Sequence, residues 1–196
     1  MTNEFVERLK RSFSINTIIY YALISTIFII IAFAFILLNR GLLPENNSAE
    51  ELREALPILR IALFGVSAVE VIVSFFLRKI LSDPQNLLKR MRGNFAGEVD
   101  LKAPVGEAET KNIMSIIQFI RSIDIISWTL CQSVAVYGLI LTILSREVIY
   151  VEAFGVLALL ALAFQRPNFS NYTRLLEATF EELQRTTDKP AVEADQ

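Results

Sequence analysis

The chain has 196 residues, of which 53% are hydrophobic, and a net charge of −2 at pH 7. Its length suits one compact domain, its long apolar runs are typical of membrane proteins, and its small net charge argues against a nucleic-acid partner. The sequence contains no histidine, which excludes Ser-His-Asp catalysis, histidine-based zinc sites and histidine-ligated haem. Its single cysteine, Cys131, excludes an intramolecular disulfide.

The first 16 residues predict a short helix at the membrane surface. Their apolar side chains fall on one helical face, which consists of Phe5, Val6, Leu9 and Phe13. Basic residues occupy other faces, as is typical of an interfacial helix. We expect residues 1–16 to lie in the interface and to lead into the first membrane span.

Four apolar stretches predict four transmembrane helices, at residues 17–38, 59–77, 123–144 and 148–164. The first three match the ~20 residues that cross a hydrocarbon layer of about 30 Å, and the fourth is short. The first is too long for a signal-peptide core and lacks a small-residue cleavage site after it, so we expect it to be retained. The predicted fold is an all-α membrane protein of two transmembrane hairpins, residues 17–77 and 123–164.

The connecting segments have distinct compositions. The loop at residues 39–58 is acidic and contains a glycosylation acceptor pattern, Asn46-Asn47-Ser48. Residues 78–122 form a basic loop, in which a helix is predicted from about residue 107 into the third span. Arg121 and Asp124, three residues apart at the end of this loop, are expected to pair.

The C-terminal segment, residues 165–186, predicts an amphipathic helix. Its apolar residues at helical spacing form a predicted docking face, which consists of Tyr172, Leu175, Leu176 and Phe180. This face could dock on the membrane, on the segment at residues 78–122 or on another protein. Residues 187–196 predict a disordered acidic tail.

The basic residues predict the orientation in the membrane. Fifteen of the 19 lysines and arginines lie in the N-terminus, the 78–122 loop and the C-terminal tail, whereas four lie elsewhere, namely Arg40, Arg53, Arg60 and Arg146. The positive-inside rule therefore predicts that both termini and the middle loop are cytoplasmic, in what we expect to be a bacterial inner membrane.

The two predicted hairpins have similar sequences at matching places. The second span contains Phe-Gly-Val around Gly65, and the fourth contains Phe-Gly-Val around Gly155. Both hairpins would start from the cytoplasm, so a duplication would give a parallel repeat; the alternative is chance similarity between apolar helices. Gly65, Gly155 and Gly138 are predicted points of close helix packing.

Polar residues inside the predicted spans, above all Glu70, pose the functional question. A carboxyl group in the bilayer costs on the order of 2.5–3.5 kcal/mol on insertion scales, so it usually has a partner or a function. Other polar residues lie at a similar depth, within about one helical turn at ~1.5 Å per residue: Ser25, Thr26, Gln132 and Ser133. Three interpretations are open: a hydrogen bond from protonated Glu70 to Ser25, Gln132 or Ser133, a proton or cation site, and contact with a partner's polar group.

Two stretches resemble known families. Residues 128–139, with Gln132 and the Tyr137-Gly138 step, resemble uncharacterised bacterial four-helix integral membrane proteins and, more distantly, the proteolipid c-subunits of rotary ATPases. In proteolipids a carboxylate precedes the aromatic-glycine step, whereas here Gln132 has that place and the carboxylate, Glu70, lies in the second span. Residues 78–121 resemble the HAMP linker of sensory receptors through Pro84, Leu88, Gly97-Glu98 and Glu107, although here the second helix leads into a further span.

Function is predicted from these features together. No catalytic, cofactor or metal-ligand pattern is present, and the isolated acids lack metal-ligand spacing. The sequence predicts a non-catalytic structural, accessory or assembly subunit that acts through helix–helix contacts with other membrane proteins or with copies of itself. The alternative, which the proteolipid resemblance implies, is proton or cation binding or translocation at Glu70. The third is HAMP-like signal transmission across the membrane.

Overall fold

The computed structural model describes residues 3–41, 49–81, 83, 85 and 107–187. These residues form five helices and no strand. The helices are α1 (Asn3–Asn39), α2 (Ala49–Leu81), α3 (Glu107–Ser145), α4 (Ile149–Phe164) and α5 (Phe169–Thr187). Three predicted parts lie outside the described residues: the glycosylation acceptor, the acidic tail from residue 188, and most of the loop before residue 107, including Pro84, Leu88 and Gly97-Glu98 of the HAMP-like stretch.

Three helices contain a segment long and apolar enough to cross a membrane, namely Leu9–Asn39, Glu54–Lys79 and Met114–Ser145. The 16 residues of α4 span only ~24 Å at ~1.5 Å per residue. α4 therefore qualifies only if it is counted together with α5, which follows after a break in the helix. Pro167 lies at this break, where a helix cannot continue normally. The chain is an integral membrane protein by the length and composition of its helices, with three to four candidate spans.

Three helices are longer than the spans predicted from the sequence, and α2, which begins at Ala49, also includes residues 49–58 of the loop predicted at 39–58. α1 has 37 residues and contains neither glycine nor proline, so the predicted surface helix and the first span form one continuous helix. α3 has 39 residues and likewise joins the end of the 78–122 loop to the third span without a break. In α1 and α3, no backbone feature therefore marks the predicted boundary between surface and membrane segments.

The chain divides into two compact units. The apolar unit consists of residues 17–76 and 125–166, and the flanking unit consists of residues 1–16, 77–124 and 167–196. The core of the apolar unit comes from α1, α3 and α4 and comprises Tyr20, Ile27, Trp128, Cys131, Val134, Ala135, Leu141, Phe154, Ala158, Ala161 and Leu162. In contrast, α1 and α2 expose large apolar side chains along much of their length. An apolar exterior of this extent is expected of a surface that faces lipid.

Glycine allows two close approaches in the apolar unit. A Cβ atom at Gly138 would lie 2.6 Å from Phe154 Cβ and 2.9 Å from the carbonyl oxygen of Tyr150, so α3 and α4 touch almost backbone to backbone. A Cβ atom at Gly155 would lie 2.8 Å from Ile31 Cδ1 on α1. Gly65 differs from its counterpart Gly155, because a Cβ atom there would meet no described atom within 4 Å. The close packing predicted at Gly65 is therefore not made within the described chain.

A three-residue turn joins α3 to α4. Thr142 Oγ1 accepts a hydrogen bond from the Val151 amide at 3.0 Å, and Ser145 Oγ accepts one from the Glu147 amide at 3.2 Å. Arg146 lies in the left-handed region with φ of 62°. The turn is thus short because two side chains replace missing backbone acceptors and one residue adopts an unfavourable conformation.

The flanking unit has its own apolar cluster, built by three helices. The cluster comprises Leu9 of α1, Ile116, Ile117 and Ile120 of α3, and Tyr172 and Leu176 of α5. The rings of Phe13 and Phe169 meet edge to face at 5.2 Å, and the Tyr172 hydroxyl donates to the Ile117 carbonyl at 3.4 Å. The N-terminal part of α1, the start of α3 and α5 therefore pack on one another.

Candidate intramembrane polar site

The polar residues of α2 occupy one face of that helix. Arg60, Ser67, Glu70 and Ser74 follow one another at intervals of seven, three and four residues, which places them on one side. Ser67 and Ser74 are buried and Glu70 is half-buried. The opposite side is apolar and exposed, with Ile58, Ile61, Val69, Ile72 and Phe76. This arrangement of polar side chains inside and apolar ones outside is the reverse of a soluble amphipathic helix.

Glu70 makes two side-chain hydrogen bonds to α3. Ser133 Oγ lies 2.5 Å from Glu70 Oε2, and the Tyr137 hydroxyl lies 2.7 Å from Glu70 Oε1. Ser133 Oγ also lies 2.7 Å from the carbonyl oxygen of Leu130. Ser133 and Tyr137 are four residues apart, so they project from the same face of α3 and hold both oxygens of one carboxyl group.

Of the polar residues predicted at the depth of Glu70, the structure brings Ser133 to it. Gln132 precedes Ser133 by one residue and therefore projects about 100° away around α3; no described hydrogen bond joins it to Glu70. Ser25 Oγ and Thr26 Oγ1 each bond to their own helix, four residues back, at 2.9 Å. Of the three partners considered for Glu70, namely Ser25, Gln132 and Ser133, the structure has Ser133, and it adds Tyr137.

A second polar cluster, absent from the sequence prediction, lies at the end of α4. The amide Nε2 of Gln165 donates to Ser74 Oγ at 2.8 Å and contacts Cys131 Sγ at 3.4 Å. The Trp128 indole donates to the Gln165 carbonyl at 3.2 Å. Gln165 is fully buried and thereby joins α2 and α3 to the end of α4. Its position after an apolar run and before Arg166 was the only signal in the sequence.

The tyrosine at the start of the first predicted span adds α1 to this region. The Tyr20 hydroxyl donates to the Leu162 carbonyl at 3.0 Å, and its ring packs against Trp128 with centroids 5.3 Å apart. The Leu162 carbonyl also accepts the Gln165 backbone amide at 2.9 Å, so the Tyr20 hydroxyl is a second donor to the same oxygen. All four helices of the apolar unit are therefore connected by polar contacts.

At the other end of α2, Arg60 contacts the α3–α4 hairpin. Its Nη2 lies 3.6 Å from Glu147 Oε2, and its guanidinium lies 4.8 Å from the centre of the Tyr150 ring. Both members of the ion pair are partly exposed, and such pairs contribute about 0–1 kcal/mol. We infer that the contact orients α2 more than it stabilises the fold.

In the flanking unit, the predicted site residues contact other helices of the same unit. The docking face predicted on the C-terminal helix is covered by α1 and α3, because Tyr172 and Leu176 are buried in the apolar cluster and Leu175 packs against it. The side chain of Phe180 lies outside the described residues. Asp124, expected to pair with Arg121, instead lies 3.6 Å from Arg78 Nε on α2.

In the part of the chain that the structure describes, no group of three or more acidic, cysteine or histidine side chains is placed to hold a metal ion. Comparison with known proteins found no matching family model, no matching curated protein and no matching solved structure. The resemblance to proteolipid c-subunits therefore depends on residues 128–139 alone.

Proposed function

We propose that the protein is a non-catalytic accessory or assembly subunit of a bacterial inner membrane, which acts through helix–helix contacts with other membrane proteins or with copies of itself. The observation that supports it is the use of the polar groups in the apolar unit. Glu70, Ser133, Tyr137, Gln165 and Ser74 bond from helix to helix instead of standing apart around an open path. Such bonds position membrane helices and contribute about 0.6–2 kcal/mol each.

The exposed faces of α1 and α2 support the same proposal. Their apolar side chains face lipid or a neighbouring helix, and small residues on them would let another helix approach closely. Ala22 of α1 and Ala68 of α2 are exposed and lie outside the core. We also propose the orientation that the basic residues predict, with four spans in two hairpins and both termini in the cytoplasm.

The test is purification from native membranes in a mild detergent, with mass determination and identification of proteins that stay bound. We expect a defined complex with stoichiometric copies of another membrane protein or of this chain. Ala22→Trp and Ala68→Trp enlarge exposed faces and leave the core intact, so at least one should reduce that complex without lowering thermal stability. A single chain surrounded by lipid, unchanged in either variant, would contradict the proposal.

The second candidate function is proton or cation binding, or translocation, at Glu70. It is supported by a half-buried carboxyl group inside an apolar helix that is held by two hydroxyl groups of α3. The structure also brings Glu70 next to the Tyr137-Gly138 step, so a second helix provides the carboxylate that residue 132 lacks. The experiment is ion flux in reconstituted vesicles: Glu70→Gln should abolish it and Gln132→Leu should not. Flux that survives Glu70→Gln would eliminate this candidate.

A further inference from the structure

Glu70 belongs to a chain of four oxygen-bearing groups, which fixes where protons can lie. Three oxygen–oxygen distances define it: 2.7 Å from the Tyr137 hydroxyl to Glu70 Oε1, 2.5 Å from Glu70 Oε2 to Ser133 Oγ, and 2.7 Å from Ser133 Oγ to the Leu130 carbonyl. These are distances of O–H···O hydrogen bonds. Each of the three contacts is a full hydrogen bond only if a proton lies between its two oxygens.

The side chains supply too few protons when Glu70 is ionised. Tyrosine and serine hydroxyls carry one proton each, whereas a carbonyl and a carboxylate carry none. The single proton of Ser133 can point at Glu70 Oε2 or at the Leu130 carbonyl. One of those two contacts would then bring oxygen lone pairs together without a proton between them.

A proton on Glu70 Oε2 removes this conflict. Tyr137 then donates to Oε1, the carboxyl group donates from Oε2 to Ser133 Oγ, and Ser133 donates to the Leu130 carbonyl. Every donor has one acceptor, and both oxygens of the carboxyl group are satisfied.

The surroundings of Glu70 favour the same state. Among the described residues, no lysine or arginine forms an ion pair with it. On α2 the nearest cations, Arg60 and Arg78, are ten and eight residues away, or about 15 and 12 Å along the axis. Tyr137 is the titratable group of α3 in contact with it. A charge in a bilayer without a counter-ion is costly, so a neutral carboxyl group is preferred.

We propose that Glu70 is a proton-binding site that carries its proton on Oε2, with Ser133 as the acceptor of that proton. The inference uses the site of the second candidate function and names a proton, not a metal ion, as the bound species; it does not depend on transport. Ser133 is the positioning residue. It must turn its hydroxyl from the Leu130 carbonyl to Glu70 Oε2 whenever the carboxyl group releases the proton.

The test is infrared difference spectroscopy of the full chain in lipid vesicles at neutral pH, recorded as wild type minus Glu70→Gln. All other carboxyl groups cancel in this difference. We expect one carbonyl band of a protonated carboxylic acid, which moves to lower frequency in heavy water. Carboxylate stretching bands in its place would overturn the inference.

Variants of the neighbouring residues test the hydrogen-bond chain. Tyr137→Phe and Ser133→Ala each remove one bond of the carboxyl group and should shift the acid band to higher frequency. Ser133→Thr keeps the hydroxyl and should leave it in place, as should the matched control Gln132→Leu. If neither Tyr137→Phe nor Ser133→Ala changes the frequency of the acid band, the proposed hydrogen-bond chain is refuted. If Glu70→Gln fails to fold, the spectrum of Ser133→Ala can be subtracted from that of Ser133→Thr. The acid band should then appear at two frequencies, because it is shifted in Ser133→Ala and unshifted in Ser133→Thr.

Transport and proton binding can fail separately in these experiments. An acid band without flux in vesicles retains the inference and removes only the transport candidate. Flux accompanied by carboxylate bands retains an ion-carrying function and removes the proton-binding inference. The two outcomes are therefore distinguishable.

Discussion

Replacing Gly138 with alanine tests the contact that holds α3 against α4. The new Cβ atom would lie 2.6 Å from Phe154 Cβ, 2.9 Å from the Tyr150 carbonyl oxygen and 3.1 Å from Val151 Cα. Carbon atoms pack at about 3.5–4.0 Å, so the new Cβ atom fits without a clash only if α3 and α4 move apart by about 1 Å. All three opposing atoms belong to the backbone or are bonded directly to it. Rotation of a side chain therefore cannot relieve the clash, and the helices must move apart.

The expected loss of unfolding free energy in Gly138→Ala follows from a comparison with Gly65→Ala. Both substitutions put alanine into a helix interior, where it is favoured over glycine by about 1 kcal/mol, so this term cancels in the difference. A Cβ atom at Gly65 meets no described atom within 4 Å, whereas the one at Gly138 overpacks an interface, which costs about 1–3 kcal/mol. Gly138→Ala should therefore unfold more easily than Gly65→Ala by about that amount.

The assay is equilibrium unfolding in mixed micelles with increasing sodium dodecyl sulfate, followed by circular dichroism. Gly155→Ala should fall between the other two, because the nearest atom there is Cδ1 of Ile31, the mobile end of a side chain. Equal stability of Gly138→Ala and Gly65→Ala would refute the close approach of α3 and α4.

Three further predictions concern the flanking unit, the α3–α4 turn and the orientation. Leu176→Asp places a carboxylate in the apolar cluster, so α5 should become sensitive to protease while membrane insertion persists; unchanged proteolysis would show that this residue is not buried. At Arg146, glycine should be more stable than alanine by about 1 kcal/mol in thermal unfolding, because φ is 62° there, and the reverse order would argue against this turn conformation. In a Cys131→Ser background, Asn47→Cys should react with an impermeant thiol reagent on intact cells and Phe95→Cys only after lysis; labelling of Phe95→Cys on intact cells would reverse the orientation.

The sequence predicted the helical class, the candidate spans and the helix that runs from about residue 107 into the third span, but not the continuation of α1 and α2 beyond their spans. A run of apolar residues marks lipid-facing length, whereas a helix ends only where a breaker or a cap is present. No glycine or proline separates residues 3–16 from the first span, so α1 continues through both. At Pro167, in contrast, the sequence does contain a breaker, and α4 ends before it.

The sequence predicted which polar residues lie at the depth of Glu70, but only partly which of them face it. Counting residues from the ends of the spans placed Ser133 and Gln132 at the level of Glu70 equally well. Each residue turns the side chain by about 100°, so only one of two neighbours can face α2. Tyr137 was missed because a tyrosine in an apolar run is indistinguishable from a packing residue until the partner of its hydroxyl is known. Gln165 was missed for the related reason that its partners lie on two other helices.

The polar groups of α2 explain how a helix with an apolar exterior keeps its place in the apolar unit. Lipid is as apolar as the side chains, so burial alone gives little drive for α2 to join its neighbours. Contacts at Arg60, Glu70 and Ser74, spaced by about 15 and 6 Å along the axis, fix its position. A slip by one residue would rotate α2 by about 100° and break all three. These bonds lie inside the unit, so the opposite side of α2 is apolar and free to contact lipid or another helix. A neutral Glu70 fits this arrangement, since it bonds fully within the unit and leaves no charge in the bilayer.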